Sequence, residues 1–130
     1  NGIPAVDRDS IAFTSWIKEV DIVTAGLDIM MLTSLNEGTP VSLIEAQAAN
    51  LPVISTNVGG IENVVVQGKT GFLHDSGDAN GLTDSLLQLV EDEGLRKRMA
   101  AEGWDHVREK YHYTRLVADT ARMYDTLLNN

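Results

Sequence analysis

The sequence predicts an α/β fold, in which a Rossmann-like parallel sheet is flanked by helices. Short apolar runs alternate with helical stretches, and the loops between them are brief. Strands separated by helices are joined by crossovers, which makes them parallel. The 130 residues suffice for one domain with an ordinary core. A hydrophobic content of 43% and a charged content of 22% are globular values that exclude wholesale disorder.

The first elements are two strand candidates and a short helix. Residues 11–13 form a brief apolar run, and residues Val20–Ala25 have a helix-like pattern. Residues 28–33 are a continuous apolar run, which is typical of a strand covered on both faces. A polar loop with a glycine follows over residues 34–39.

The middle of the chain repeats this alternation. Pro40 is expected at the first position of a helix that runs to about Asn50, with Thr39 as its N-cap. Leu51 and Pro52 end the helix, and residues 53–56 are the next buried strand. The remaining elements are a tight loop at 58–60, a short helix at 61–66, a turn at 68–71 and a short strand at 72–73.

The last part of the chain is helical. Leucine and valine repeat at helical spacing between Leu82 and Val90, and two more helices are expected over 95–111 and 114–128. Only three or four strands are visible, fewer than the five or six of a complete doubly wound sheet. We therefore expect a small domain or a chain whose first strands lie upstream. The absence of an initiator methionine at Asn1 favours a fragment or a processed chain.

Charge and composition exclude several classes of protein. The net charge of −9 argues against a nucleic-acid partner, because phosphate backbones bind to basic faces. No cysteine is present, which excludes disulfide scaffolds, thiolate zinc sites and cysteine nucleophiles. The sequence has neither a run long enough for a membrane helix nor a signal-peptide pattern at its start.

Candidate chemistry concentrates at the carboxyl ends of the expected strands, where parallel sheets bind ligands. The loops 34–39 and 57–60 both lie there. The helix that follows Pro40 should present unpaired amides at Val41 and Ser42, which suit a phosphate. Gly38 allows a ligand to approach the backbone closely.

Two carboxylates bracket this helix start. Glu37 lies in the loop and Glu45 lies eight residues further on. Carboxylates accept hydrogen bonds from sugar hydroxyls, so the pair could hold hydroxyls on either side of a bound anion. The alternative is that Glu37 is a solvated residue favoured by the helix dipole and Glu45 an ordinary surface residue.

Residues 37–46, EGTPVSLIEA, resemble the E-x7-E motif of the GT-B glycosyltransferases, specifically the retaining GT4-like group. The resemblance extends over about residues 10 to 128. Its further blocks follow in the family's order: Phe13 with the Ser15-Trp16 loop, residues 27–34, residues 51–56, Gly59-Gly60, residues 68–73 and the helix at Leu95-Arg96.

The resemblance implies that residues 1–130 are a single domain, most of the C-terminal donor domain of a GT-B fold, truncated at its N-terminus. An N-terminal acceptor domain would be absent. The implied reaction transfers a sugar from a UDP- or GDP-linked donor to a glycan, lipid or small-molecule acceptor, without a metal or other cofactor. The isolated chain, lacking the family's diphosphate-binding Arg and Lys, is expected to be inactive. A cytoplasmic location is also implied, and peripheral contact with the inner face of the membrane is one option within it.

The same resemblance assigns roles residue by residue. Glu45 would bind the ribose hydroxyls, and Glu37, the candidate catalytic residue, would contact the donor sugar near its reacting carbon. Two departures from the family pattern are Ser15, where glycine is usual, and Asn63, where glutamate is common. The remaining donor-binding residues would be Gly38, Thr39, Pro40, Val41 and Ser42, with Ser15, Trp16 and Ile17 lining the base.

Two other functions remain open. One is a non-catalytic module that binds sugar nucleotides, and the other is a glycoside hydrolase that uses Glu37 and Glu45 as acid and base. His74, His106 and His112 have no metal-ligand spacing and are expected at the surface or an interface. The basic residues 96–98 could touch anionic lipid, although such a trio is more often a solvated helix face.

Overall fold

A three-stranded parallel sheet organises residues 10–129, the part of the chain that the computed structural model describes. The strands are β1 (Met30–Leu32), β2 (Val53–Thr56) and β3 (Gly71–His74), in the order β1-β2-β3. Met30 pairs with Val53, and Val53 pairs with Gly71 on the other side. The central strand β2 therefore fixes the position of both neighbours.

Five α-helices accompany the sheet in the described residues, and α2 and α3 pack directly on its strands. The α1 helix precedes β1, α2 connects β1 to β2, and α3 begins after β3. A short 3-10 helix (Ile61–Asn63) lies between β2 and β3. The α-helices are α1 (Val20–Ala25), α2 (Val41–Ala48), α3 (Ala79–Glu91), α4 (Glu93–Tyr111) and α5 (Tyr113–Leu128).

The core lies on both faces of β2, whose four residues are all buried. Val53 packs in one apolar cluster with Leu43 of α2, and Ile54 packs in a second with Leu89 of α3. Successive strand side chains point to opposite faces, so one short strand supports both layers of helices. The buried strand expected at 53–56 is confirmed. The run at 28–33, expected to be covered on both faces, contains β1, which is only half-buried.

The α2 helix ends in a Schellman motif, and this turn directs the following residues towards β2. Asn50 adopts a positive φ of 59°, a conformation that asparagine tolerates better than most residues. The amide of Leu51 donates to the carbonyl of Ala46 at 3.0 Å, and that of Asn50 donates to Gln47 at 3.1 Å. Leu51, which follows the turn, is buried against the core.

Most sequence-predicted elements are present, and three differ. Residues 11–13 are not a strand; Ile11 and Phe13 are exposed and have no pairing partner within the described residues. Thr39 does not cap α2, because the N-cap position is Pro40. Only residues 61–63 of the short helix expected at 61–66 are helical, since the β-branched residues that follow turn into the core or the next loop.

His106 on α4 gives the fold a pH-dependent contribution to stability. Burial lowers its pKa from 6.5, the charges of Lys110 and Lys69 lower it further, and the nearby Asn63 backbone offsets only part of this shift. In the unfolded chain the same imidazole takes up a proton at about pH 6.5. The unfolded state therefore binds more protons below that pH, and acid favours unfolding.

We expect the free energy of unfolding, measured by urea titration, to fall as the pH is lowered from 7 towards 5. Replacing His106 with Gln should remove part of this dependence, because the variant lacks the group that charges on unfolding. A His106→Gln variant whose pH dependence equals that of the original chain would contradict this assignment.

Candidate functional site

The candidate site lies at the carboxyl edge of the sheet, where the loops after β1 and β2 meet. Residues 33–40 connect β1 to α2, and residues 57–60 follow β2. Parallel topology brings these loops to the same edge, as the sequence predicted.

Side chains of β2 hold the start of the first loop. The Ser55 hydroxyl donates to the carbonyl of Leu32 at 2.9 Å, and the Thr56 hydroxyl donates to the carbonyl of Ser34 at 2.6 Å. Ser55 and Thr56 are both buried. Leu32 and Ser55 are the last residue pair of the parallel β1–β2 ladder. Side-chain hydrogen bonds from β2 thus extend the contact between the two segments past this pair, as far as Ser34.

The glycines at 59 and 60 hold the other end of the first loop. The Gly60 amide donates to the carbonyl of Glu37 at 3.3 Å. A Cβ at Gly59, whose φ is +57°, would collide with the Glu37 carbonyl, and a Cβ at Gly60 would collide with that of Gly38. The two loops approach so closely that neither glycine tolerates a side chain in this arrangement. Both glycines therefore have a structural role in holding the two loops together.

Glu37 is half-buried at the centre of this arrangement. Its carboxylate oxygen Oε1 accepts a hydrogen bond from the Ser34 hydroxyl at 2.6 Å. Sequence reasoning missed Ser34. The only available signal was a hydroxyl residue three positions before an acid, a spacing that is common in loops of every kind.

The N-terminus of α2 lies open beside Glu37. Pro40 occupies the N-cap position with φ −73° and ψ 100°, and no side chain caps the helix. Within the described residues, the amides of Val41 and Ser42 have no hydrogen-bond partner. Unpaired amides and the helix dipole give this end a partial positive charge that suits an anion. Gly38 and Thr39 are exposed alongside.

Glu45 lies one turn into α2 and is exposed. It lines a cavity of about 410 Å³ between α1 and α2. The sequence predicted the placement of Glu45 near the helix start but not the contribution of α1 to its surroundings. The other residues lining this cavity are Val20, Asp21, Thr24, Ala25, Ala48 and Ala49.

The proposed base-lining segment precedes α1. Trp16 is 85% exposed, Ser15 is exposed with a positive φ of 55°, and Ile17 is half-buried. None of the three lines the cavity beside Glu45. Their contact with a base stays a prediction.

The histidines differ partly from expectation. His74 is half-buried, and its Nε2 lies 2.7 Å from the Ser85 hydroxyl, so it belongs to the packing of β3 against α3. His106 has a buried ring nitrogen, whereas His112 is exposed. Among residues 10–129, no cluster of three or more His, Asp or Glu side chains is arranged to hold a metal ion.

The basic trio of α4 is partly engaged within the chain. Lys97 pairs with Glu93 at 2.6 Å, and Arg96 donates to the carbonyls of Leu89 and Val90 at the end of α3. This arrangement favours the solvated-face interpretation over a lipid contact. None of the helices in residues 10–129 combines the length and apolarity needed to cross a bilayer.

Comparison with known sequences gives a consistent family. The model of the family described as "Glycosyl transferases group 1" matches residues 7–105. The chain is 33% identical over 123 residues to N-acetyl-alpha-D-glucosaminyl L-malate synthase of Bacillus anthracis, covering 95% of this chain and 32% of that protein. It is 33% identical over 102 residues to the capsular polysaccharide biosynthesis glycosyltransferase CapM of Staphylococcus aureus. This match covers 78% of this chain and 27% of that protein. The chain thus spans about a third or less of these relatives.

Solved structures agree with this result. The C-terminal domain of the group 1 glycosyl transferase LpcC from Francisella tularensis matches with a TM-score of 0.69 and 31% identity, over 78% of this chain and 52% of that one. Anabaena HepE in complex with UDP matches with a TM-score of 0.87 and 19% identity, over 92% and 33%. Sucrose-phosphate synthase of Thermosynechococcus elongatus matches with a TM-score of 0.79 and 23% identity, over 85% of this chain and 28% of that one. The last two establish the fold alone, and together the matches confirm that the chain has the fold of one portion of a GT-B glycosyltransferase.

We expect Gly59→Ala to lower the free energy of unfolding more than Gly68→Ala. Both glycines have positive φ, so an alanine at either incurs about 1–2 kcal/mol of backbone strain. A Cβ at Gly68 meets open space, whereas one at Gly59 meets the Glu37 carbonyl and should cost roughly 1–3 kcal/mol more. Urea unfolding of both variants measures the difference. Equal losses would show that the two loops do not depend on this close approach.

Proposed function

The chain belongs to the glycosyl transferases group 1 family, and we propose that it forms most of the donor domain of a retaining glycosyltransferase that uses a nucleotide-diphosphate sugar. An acceptor glycan, lipid or small molecule would bind through a further domain. A cytoplasmic location and a peripheral membrane contact also stay predictions.

One observation carries the proposal: a helix with uncapped amides is bracketed by two carboxylates at the ligand-binding edge of a parallel sheet. The α2 amides at Val41 and Ser42 suit a phosphate group. Glu37 and Glu45 supply acceptors for hydroxyls at either end of that anion. A nucleotide-diphosphate sugar has this composition, with hydroxyls on both sides of a charged centre.

The surroundings of the two acids support a division of roles. Glu45 borders a cavity of about 410 Å³ that is mostly apolar, and we assign it to the ribose of the nucleotide. Glu37 is held in the loop beside the exposed residues Gly38 and Thr39, and we assign it to the donor sugar. In the sequence, the α2 amides that follow Pro40 lie between the two acids. Trp16 and its neighbours Ser15 and Ile17 are proposed to line the base.

The chemistry of these residues requires no metal. Amides and a helix dipole can offset the negative charge that develops on a departing diphosphate. None of the proposed donor-binding side chains is a cation, so a complete site needs further positive charge from the remainder of the protein. We therefore expect this chain to bind a donor rather than to catalyse transfer by itself.

Relatives lend support to a nucleotide ligand. The HepE structure contains UDP, and CapM is named for capsular polysaccharide biosynthesis. A donor of the UDP or GDP type fits such relatives. The relative named N-acetyl-alpha-D-glucosaminyl L-malate synthase has, by its name, a small molecule joined to the sugar in its product. The class of acceptor therefore stays open.

Two alternatives make different predictions. A non-catalytic sugar-nucleotide module would bind the donor but show no turnover in any longer chain that contains this one. A glycoside hydrolase would cleave simple glycosides without a nucleotide. The uncapped α2 amides between the two acids favour a phosphate-containing ligand over the hydrolase.

We expect Glu45→Ala to weaken binding of bare UDP or GDP at least about tenfold, because it removes hydrogen bonds to a charged acceptor. Glu37→Ala should leave the bare nucleotide nearly unaffected and weaken binding of UDP-glucose or GDP-mannose. Amide chemical-shift titrations of the chain with each of the four ligands measure both effects.

Glu91→Ala is the matched control. Glu91 is an exposed acid in the last turn of α3, which starts at the carboxyl edge of the sheet and runs away from it. The control should bind all four ligands as the original chain does. Equal losses of bare nucleotide affinity in Glu37→Ala and Glu45→Ala would overturn the division of roles.

A further inference from the structure

We propose that Ser34 is a positioning residue that fixes the Glu37 carboxylate and occupies one acceptor position of its Oε1 oxygen, so that Oε2 is the carboxylate oxygen without a partner among the described residues. The inference rests on the proposed function for the identity of that ligand, a nucleotide sugar. The geometry of the contact is independent of it.

The hydrogen bond itself is short. The Ser34 hydroxyl lies 2.6 Å from Glu37 Oε1, within the range of a charge-assisted bond between a hydroxyl and a carboxylate. A serine hydroxyl has a single proton, so this donation commits it to Glu37. Among the described residues, Ser34 is the only one whose side chain donates to this carboxylate.

Ser34 is itself held from the core. Its carbonyl accepts a hydrogen bond from the Thr56 hydroxyl at 2.6 Å, and Thr56 is 3% exposed in the central strand β2. Two successive hydrogen bonds, from Thr56 to Ser34 and from Ser34 to Glu37, therefore connect the carboxylate to the buried core.

The main chain of Glu37 is fixed separately. Its carbonyl accepts from the Gly60 amide at 3.3 Å, and the close approach of Gly59 fills the space behind it. Backbone and side chain of the same residue are thus restrained by two different loops. A glutamate in such a setting has lost most of its rotamer freedom before any ligand arrives.

This restraint has a consequence for recognition. A carboxylate ordered in advance binds without a further loss of side-chain entropy, which strengthens the contact. Ser34 takes one of the two acceptor positions of Oε1, so fewer and more fixed acceptor directions remain for the hydroxyls of a sugar. Glu37 then distinguishes sugars by the position of their hydroxyls, and Ser34 determines how the carboxylate is oriented towards them.

The hydrogen bond can be tested by NMR spectroscopy without any ligand. The ¹³C resonance of the Glu37 carboxylate, recorded in H₂O and in D₂O, reports donation by an exchangeable hydroxyl. Ser34→Ala should move this resonance and abolish its isotope shift, and Ser34→Thr, which keeps the hydroxyl, should preserve both. Thr83→Ala is the control, because it removes a hydroxyl on α3 that donates to the Ala79 carbonyl.

Ligand binding tests the role. We define the sugar increment as the ratio of the dissociation constant of UDP to that of UDP-glucose, or of GDP to that of GDP-mannose, whichever pair binds. Ser34→Ala should reduce this increment roughly fivefold or more, with the affinity for the bare nucleotide changed by less than about twofold. Ser34→Thr should restore the increment, which a general loss of structure would not allow.

The outcomes separate the inference from the proposed function. An unchanged carboxylate resonance in Ser34→Ala overturns the inference, whatever the ligands do. A changed resonance with an unchanged sugar increment also overturns it, because Glu37 would then recognise sugar without Ser34. Absence of nucleotide-sugar binding in the original chain overturns the proposed function, and the carboxylate resonance alone then decides whether Ser34 positions Glu37.

Discussion

The candidate site depends on the close approach of two loops at the carboxyl edge of the sheet. Gly59 and Gly60 lie against the carbonyls of Glu37 and Gly38, at a separation that excludes any Cβ. The approach is possible because β2 holds both loops: the loop at 57–60 follows it directly, and the loop after β1 is attached to it through the backbone pairing with β1 and through the hydroxyls of Ser55 and Thr56. A buried four-residue strand thereby determines where Glu37 lies.

The same construction positions α2, which carries the remaining candidate residues. Leu43 and Ala46 are fully buried against the core, and the buried Gln47 donates to the carbonyl of Val64 in the segment after the 3-10 helix. Gly103 of α4 lets that helix pack closely on Gln47. One face of α2 is thus fixed by packing, and the opposite face presents Glu45 to the cavity beside α1. A rigid scaffold of this kind is what precise placement of ligand-binding groups requires.

Much of this architecture could be predicted from the sequence, because apolar periodicity and turn residues reflect local preferences. The helices after Asp78 and the strand at 53–56 have patterns that admit a single interpretation, and parallel topology then places Glu37 and the start of α2 at one edge. Residues 11–13 were misjudged because a short apolar run forms a strand only when a partner pairs with it. The link from Ser34 to Glu37 and the cavity between α1 and α2 arise from tertiary geometry, for which a sequence pattern carries no signal.

The proposed diphosphate ligand is compatible with the net charge of −9, because the potential at a binding site depends on the charges nearby rather than on the net charge. At physiological ionic strength a charge is screened over about 8 Å, so exposed acids beyond that distance contribute little to the potential at the N-terminus of α2. The local potential is set by the uncapped amides and the helix dipole, which are positive, and by Glu37 and Glu45, which are negative. The hydrogen bond from the Ser34 hydroxyl stabilises the negative charge of the Glu37 carboxylate. The amides can therefore attract an anion while both acids remain available for hydroxyls, an arrangement that a lysine or arginine in the same loop would disturb by pairing with the acids.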